Sequence, residues 1–101
     1  MKILHVYPNY RAAKGAFNLF IIRENPDRFL RASLKAQKGA DEHIFLPLGL
    51  WSNFEKIQGL KLDRMNVYFD PNTRTQAGLR AFSHLPPEHI HFFTSGEPYA
   101  C

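Results

Sequence analysis

Cysteine is nearly missing from this chain. The one thiol, Cys101, cannot form an internal disulfide, and there is no CxxC pair, so disulfide-stapled and cysteine-rich zinc scaffolds are excluded. Long apolar runs are missing too. No stretch approaches the ~20 apolar residues of a membrane-spanning helix, and the run Met1 to Pro8 is too short and interrupted for a signal-peptide core. There is no phosphate-binding P-loop, and Ser, His and Asp residues fall in no diagnostic nucleophile spacing. Apart from Asp41-Glu42, which reads as a loop into a strand, the carboxylates form no close pair. These absences predict a cytoplasmic protein with no membrane association, no cofactor and no catalytic residues: a binding protein rather than an enzyme.

What the chain does contain is ordinary globular material. Its 101 residues suffice for one domain, spanning 1–101 with a loosely ordered tail from about 95, and one modest core. Hydrophobic residues make up 45% and charged residues 22%, which excludes intrinsic disorder. Aromatics are abundant at 14%, with nine Phe, more rings than so small a core hides easily. Lys and Arg exceed Asp and Glu by 13 to 9, a net charge of +4 that is compatible with an anionic partner.

The local signals predict a ferredoxin-like βαββαβ order, an α+β fold with an antiparallel sheet and two main helices on one face. Lys2 to Tyr7 reads as a strand stopped by Pro8-Asn9, and Tyr10 to Gly15 as a basic loop. Ala16 to Arg23 suits a strand or a helical turn; because Asn25-Pro26 follows at once, an extra strand over 16–23 is favoured. Asn25 as cap, Pro26 at the first helical position and Gly39 as stop predict a helix over 26–38. Strands are expected over 42–48, 60–69 and 88–94. A short helix is expected to begin at Ser52-Glu55, with Trp51 as its core anchor. A second main helix runs from Thr73 to Leu85, ended by Pro86-Pro87.

Alternation along the strands sorts their side chains into two faces. Leu4, Val6, Ile44, Leu46, Val67, Phe69, Ile90 and Phe92 share an apolar face suited to helix packing. His5, Tyr7, His43, Phe45, Asn66, Tyr68, His89, His91 and Phe93 share the other, expected to be open in this layout and therefore a binding face. A protein partner or a second copy of the chain is the leading occupant, with adaptor, inhibitor or phage and mobile-element accessory roles as the associated class. Single-stranded nucleic acid is the alternative, its bases stacking on the rings and its phosphates meeting Arg11, Lys14, Arg64, Arg74 and Arg80. This arrangement resembles the use of the sheet in RNA-recognition motifs, with Tyr7 and Tyr68 where stacking rings would sit. The Lys/Arg-Gly-aromatic run of that family is missing before Asn66-Val67-Tyr68-Phe69.

A third reading is a metal site at His5, His89 and His91, since His-x-His on a strand puts two imidazoles on one side. The plainer view of that pair is half-exposed sheet histidines, because no carboxylate joins them. Finally, Met1 to Pro8, with His43-Ile44-Phe45 as a further strand, resembles the opening of two-domain glycosyltransferases with nucleotide-binding folds. The chain is too short for both domains, and no Gly-rich turn follows the first strand, where only Lys14-Gly15 stands, so the likeness is set aside.

Overall fold

A computed structural model describes residues 1–48, 57, 59–69 and 73–92. Their chain order is β1 (Lys2–Tyr7), α1 (Tyr10–Glu24), β2 (Arg28–Leu30), β3 (Lys35–Lys38), β4 (Asp41–Pro47), β5 (Arg64–Val67), α2 (Thr73–Ser83), a 3-10 turn (Pro87–His89) and β6 (Ile90–Phe92). The result is a small α+β domain whose six strands form one mixed sheet in the order β2-β3-β4-β1-β5-β6. The central strand β1 is parallel to both its neighbours, β4 and β5, and β5 is parallel to β6. Only β2 and β3 pair antiparallel, with each other and with β4. This differs from the expected ferredoxin-like antiparallel sheet in strand order and direction.

The difference begins at residue 9. Asn9 caps α1, its side chain accepting the Ala12 N–H at 2.8 Å. Ala13, Ala16, Phe17 and Phe20 then recur at three- and four-residue intervals and are all buried, the stripe of a helix packed on a sheet. The predicted strand over 16–23 is therefore the C-terminal half of a helix whose first half looks like a basic loop. Asn25 ends that helix instead of starting the next: it adopts φ 47°, ψ 63°, and its N–H reaches the Ile21 carbonyl.

The helix expected over 26–38 is a β-hairpin. Arg31 to Leu34 form its turn, with Leu34 at φ 53° and its N–H on the Arg31 carbonyl. Asp27 closes the open end, its backbone N–H reaching the Gln37 carbonyl and its carboxylate accepting the Gly39 N–H, both at 2.8 Å. Gly39 does take the positive φ foreseen for it, 61°, but in the turn between β3 and β4.

The sorting of strand residues into two faces agrees with the register. Leu4, Val6, Ile44, Leu46, Met65, Val67 and Ile90 pack with Ile57, Leu62 and Leu79 of α2. On the opposite face Tyr7, Ala36 and Phe45 pack with Leu34 and with Ala13, Ala16, Phe17 and Phe20 of α1. The two helices thus lie on opposite faces, not on one. Each fully buried Phe or Leu in these layers contributes about 1.5–3 kcal/mol, and β1 is covered on both sides, as parallel central strands are. The expected helix at Ser52-Glu55, its anchor Trp51, and the tail from 95 lie outside the described residues, as do Phe93 and Cys101.

Candidate functional site

The face expected to be open is covered. His5, Tyr7 and Phe45 are 4%, 1% and 1% exposed, because α1 lies across them. Their rings form a stacked layer: Tyr7 on Tyr68 at 4.9 Å, His5 on Phe45 at 4.7 Å, and Phe17 edge-on to Phe45 at 5.6 Å. Phe20 seals the layer over His43, ring centroids 4.7 Å apart. These side chains are core, and no partner reaches His5 or Tyr7 while α1 is in place. Asn66 and His91 are half-buried farther along the same side, and His89 is exposed in the 3-10 turn rather than on a strand.

The basic residues do not form one surface either. Arg11 and Lys14 are exposed on α1, Arg74 and Arg80 on α2 across the sheet, and Arg64 begins β5 at the opposite end from the α1 N-terminus. The three candidate metal ligands are likewise separate. His5 and His91 share a face but sit on β1 and β6 with β5 between them, and His89 has left the strand. Among the described residues no three His, Cys, Asp or Glu side chains are grouped to hold a metal.

What the sheet does bring together is a buried hydrogen-bonded chain across three strands. His5 Nδ1 lies 3.1 Å from the Tyr68 hydroxyl, and His5 Nε2 lies 2.9 Å from His43 Nδ1. Burial pushes the His5 imidazole down to about 3, with His43 nearby adding to the effect. His43 is lowered as well, mainly by burial, against the opposing pull of Asp41 and Glu24. Both rings are therefore neutral near pH 7, and the chain has two consistent proton arrangements. Either Tyr68 donates to His5 and His5 donates to His43, or each bond runs the other way. Alternation placed His5, His43 and Tyr68 on one face from sequence; the cover of α1, which makes them a sealed network, was the missing piece.

Open space lies instead at the carboxyl ends of the parallel strands. A cavity of about 490 Å³ there is lined by Tyr10 at the start of α1, Ser33 in the hairpin turn, Lys35 of β3, Phe45 and Pro47 of β4, and Leu60. Local folding explains the gathering. The Leu48 N–H bonds to the Tyr7 carbonyl at 2.7 Å, and the Tyr68 N–H to the Val6 carbonyl at 3.0 Å, which carries both neighbours level with the end of β1. From that edge the chain turns into α1 on one face and, after β5, into α2 on the other. Sequence reasoning missed Ser33 and Lys35 because it placed both in a helix. Comparison with protein-family models, curated proteins and solved structures finds no match.

The described lining of this crevice combines one cation with hydroxyls and apolar side chains. The first amides of α1 open beside Tyr10, where a helix carries partial positive charge. Lys35 adds an ammonium, and Tyr10 and Ser33 add hydroxyls. Its described lining residues include no carboxylate and no imidazole to act as a general base. A second, shallower concavity of about 330 Å³ runs along β2, lined by Arg28, Leu30, Lys35, Gln37 and Glu42 among others.

Proposed function

We propose that this chain is a small-molecule-binding domain that takes an anionic, ring-bearing ligand of the nucleotide or sugar-phosphate class at the carboxyl edge of its sheet. The observation that carries the reading is the position of the cavity: it opens beside the first residue of α1, where the chain leaves the carboxyl end of the parallel pair β1 and β4. Ligands of parallel α/β sheets usually sit outside the carboxyl ends of the strands. The volume of about 490 Å³ suits a ligand of that size. Lys35 and the α1 N-terminus match a phosphate, and the Tyr10 ring offers a stacking surface. The role is binding rather than catalysis, in keeping with the lining.

Calorimetric titration of the intact chain with uridine diphosphate and adenosine diphosphate tests this. Lys35→Ala removes the one cation in the described lining and is expected to weaken binding by ~10-fold or more, the effect of losing a charge-assisted hydrogen bond. Tyr10→Ala weakens it less and more for the aromatic nucleotide than for inorganic pyrophosphate. Equal affinity of wild type and both variants would remove the crevice as the site.

A further inference from the structure

The outer edge of the sheet at β2 carries a second surface, which meets the crevice only at Lys35. All three residues of β2 are exposed, Phe29 at 43% and Leu30 at 62%, although both are large and apolar. β2 pairs with β3 on one side only, so by strand alternation part of its backbone N–H and C=O groups faces outward. Phe29 is held rather than loose. Its ring meets Phe17 edge-on at 6.4 Å, and the Arg31 guanidinium sits 5.3 Å from its centroid. Arg31 is itself fixed by donating to the Asn18 side-chain oxygen at 2.8 Å.

The charged side chains of β2 and the first turn residue after it are Arg28 and Arg31. The carboxylates nearby are already engaged: Glu24 with Lys38, Glu42 with Lys2, and Asp27 with the Gly39 N–H. Among the described residues Arg28 and Arg31 form no ion pair. Arg28 and Leu30 also border the 330 Å³ concavity, so an apolar pocket and a guanidinium stand side by side on the strand.

We propose that β2 accepts an extended, acidic segment of another protein as an added strand, its apolar side chains seated on Phe29 and Leu30 and its carboxylates on Arg28 and Arg31. Backbone bonds of a strand addition supply affinity, and alternate side-chain pockets supply selectivity. A second copy of this chain fits worse, because pairing β2 with itself would bring the Arg28 and Arg31 cations of two basic molecules, each of net charge +4, to the same short edge.

Selection of random peptides displayed on phage against the intact chain tests the proposal. The enriched sequences are expected to alternate apolar residues with Asp or Glu. Hydrogen exchange of the complex should slow at the amide of Phe29, which the register turns away from β3. Arg28→Glu, a change at an exposed position, should weaken the selected peptide by ~10-fold or more with the circular dichroism of the free chain unchanged. N-methylation of the selected peptide at alternate amides should weaken it even though the charges are untouched. Enrichment of basic peptides, absence of any consensus, or protection confined to other strands would overturn the proposal. So would a free chain that sediments as a dimer with β2 already protected, or displacement of the peptide by a single-stranded oligonucleotide that itself protects β2.

Discussion

Lowering the pH from 8 to 5 should destabilise this fold well before its carboxylates titrate, and His5 is the reason. Buried to 4% exposure beneath α1, His5 has its imidazole pushed from 6.5 down to about 3. Between those values the unfolded chain takes up a proton that the folded chain refuses, so stability falls as pH falls. Each pH unit in this window costs about 1.4 kcal/mol. From pH 8 to pH 5 the loss from His5 alone is about 2 kcal/mol, and at pH 3 about 4 kcal/mol. His43 is lowered in the same direction and adds to the slope. Against a total stability of about 5–15 kcal/mol for a small domain, this is a large share. Urea unfolding followed by circular dichroism at pH 8, 6.5 and 5 reads it directly. His5→Phe keeps a ring on Phe45 but neither titrates nor bonds to Tyr68 and His43. It is expected to lower stability at pH 8 by about 2–3 kcal/mol and to flatten the pH dependence, so that the two proteins converge at pH 5. A wild-type midpoint that does not move between pH 8 and pH 5, or a slope that persists unchanged in His5→Phe, would refute this reasoning.

Three further predictions concern the fold. Phe17→Ala empties the contact between α1 and Phe45 and should cost about 3–5 kcal/mol, read as a lower urea midpoint with an unchanged slope. Asn9→Ala removes the cap bond to the Ala12 N–H; a loss of about 1 kcal/mol is expected, and none would mean that α1 starts elsewhere. Lys61 is exposed with φ 50°, so Lys61→Gly should raise stability by about 1 kcal/mol, whereas a loss would show that this backbone angle is not held in solution.

Part of this architecture was legible in the residues. The strand Lys2–Tyr7 ends at Pro8-Asn9 as read, β4 is one residue off its expected span, and α2 begins at Thr73 as the capping signal indicates. Within α2, Leu79 is buried and Phe82 partly so, while Ala77 and Ala81 are exposed. The exchange of helix and hairpin over residues 10–38 has a specific cause. Asn-Pro satisfies the start of a helix and equally the left-handed end of one followed by a Pro that cannot continue it. Only the buried spacing Ala13, Ala16, Phe17, Phe20, read from residue 9 instead of 16, separates the two. Strand direction left a fainter trace. Ile3, Leu4, Val6 and Tyr7 are apolar on both faces of β1, the near-continuous pattern of a parallel strand covered twice, with His5 its single polar interruption. The crevice was illegible because it is assembled from three elements, one of which, the β2–β3 hairpin, local signals placed in a helix.

The most direct test of the central claim is a titration of isotopically labelled chain with uridine diphosphate, followed by the backbone amide shifts. The account predicts saturable shifts concentrated at Tyr10, Arg11, Ser33, Lys35 and Leu48, around the carboxyl ends of β1 and β4, with the β2 edge and the far end of β5 near Arg64 unmoved. Amides at the carboxyl edge that stay still at saturating nucleotide, or shifts gathered instead elsewhere on the domain, would contradict it.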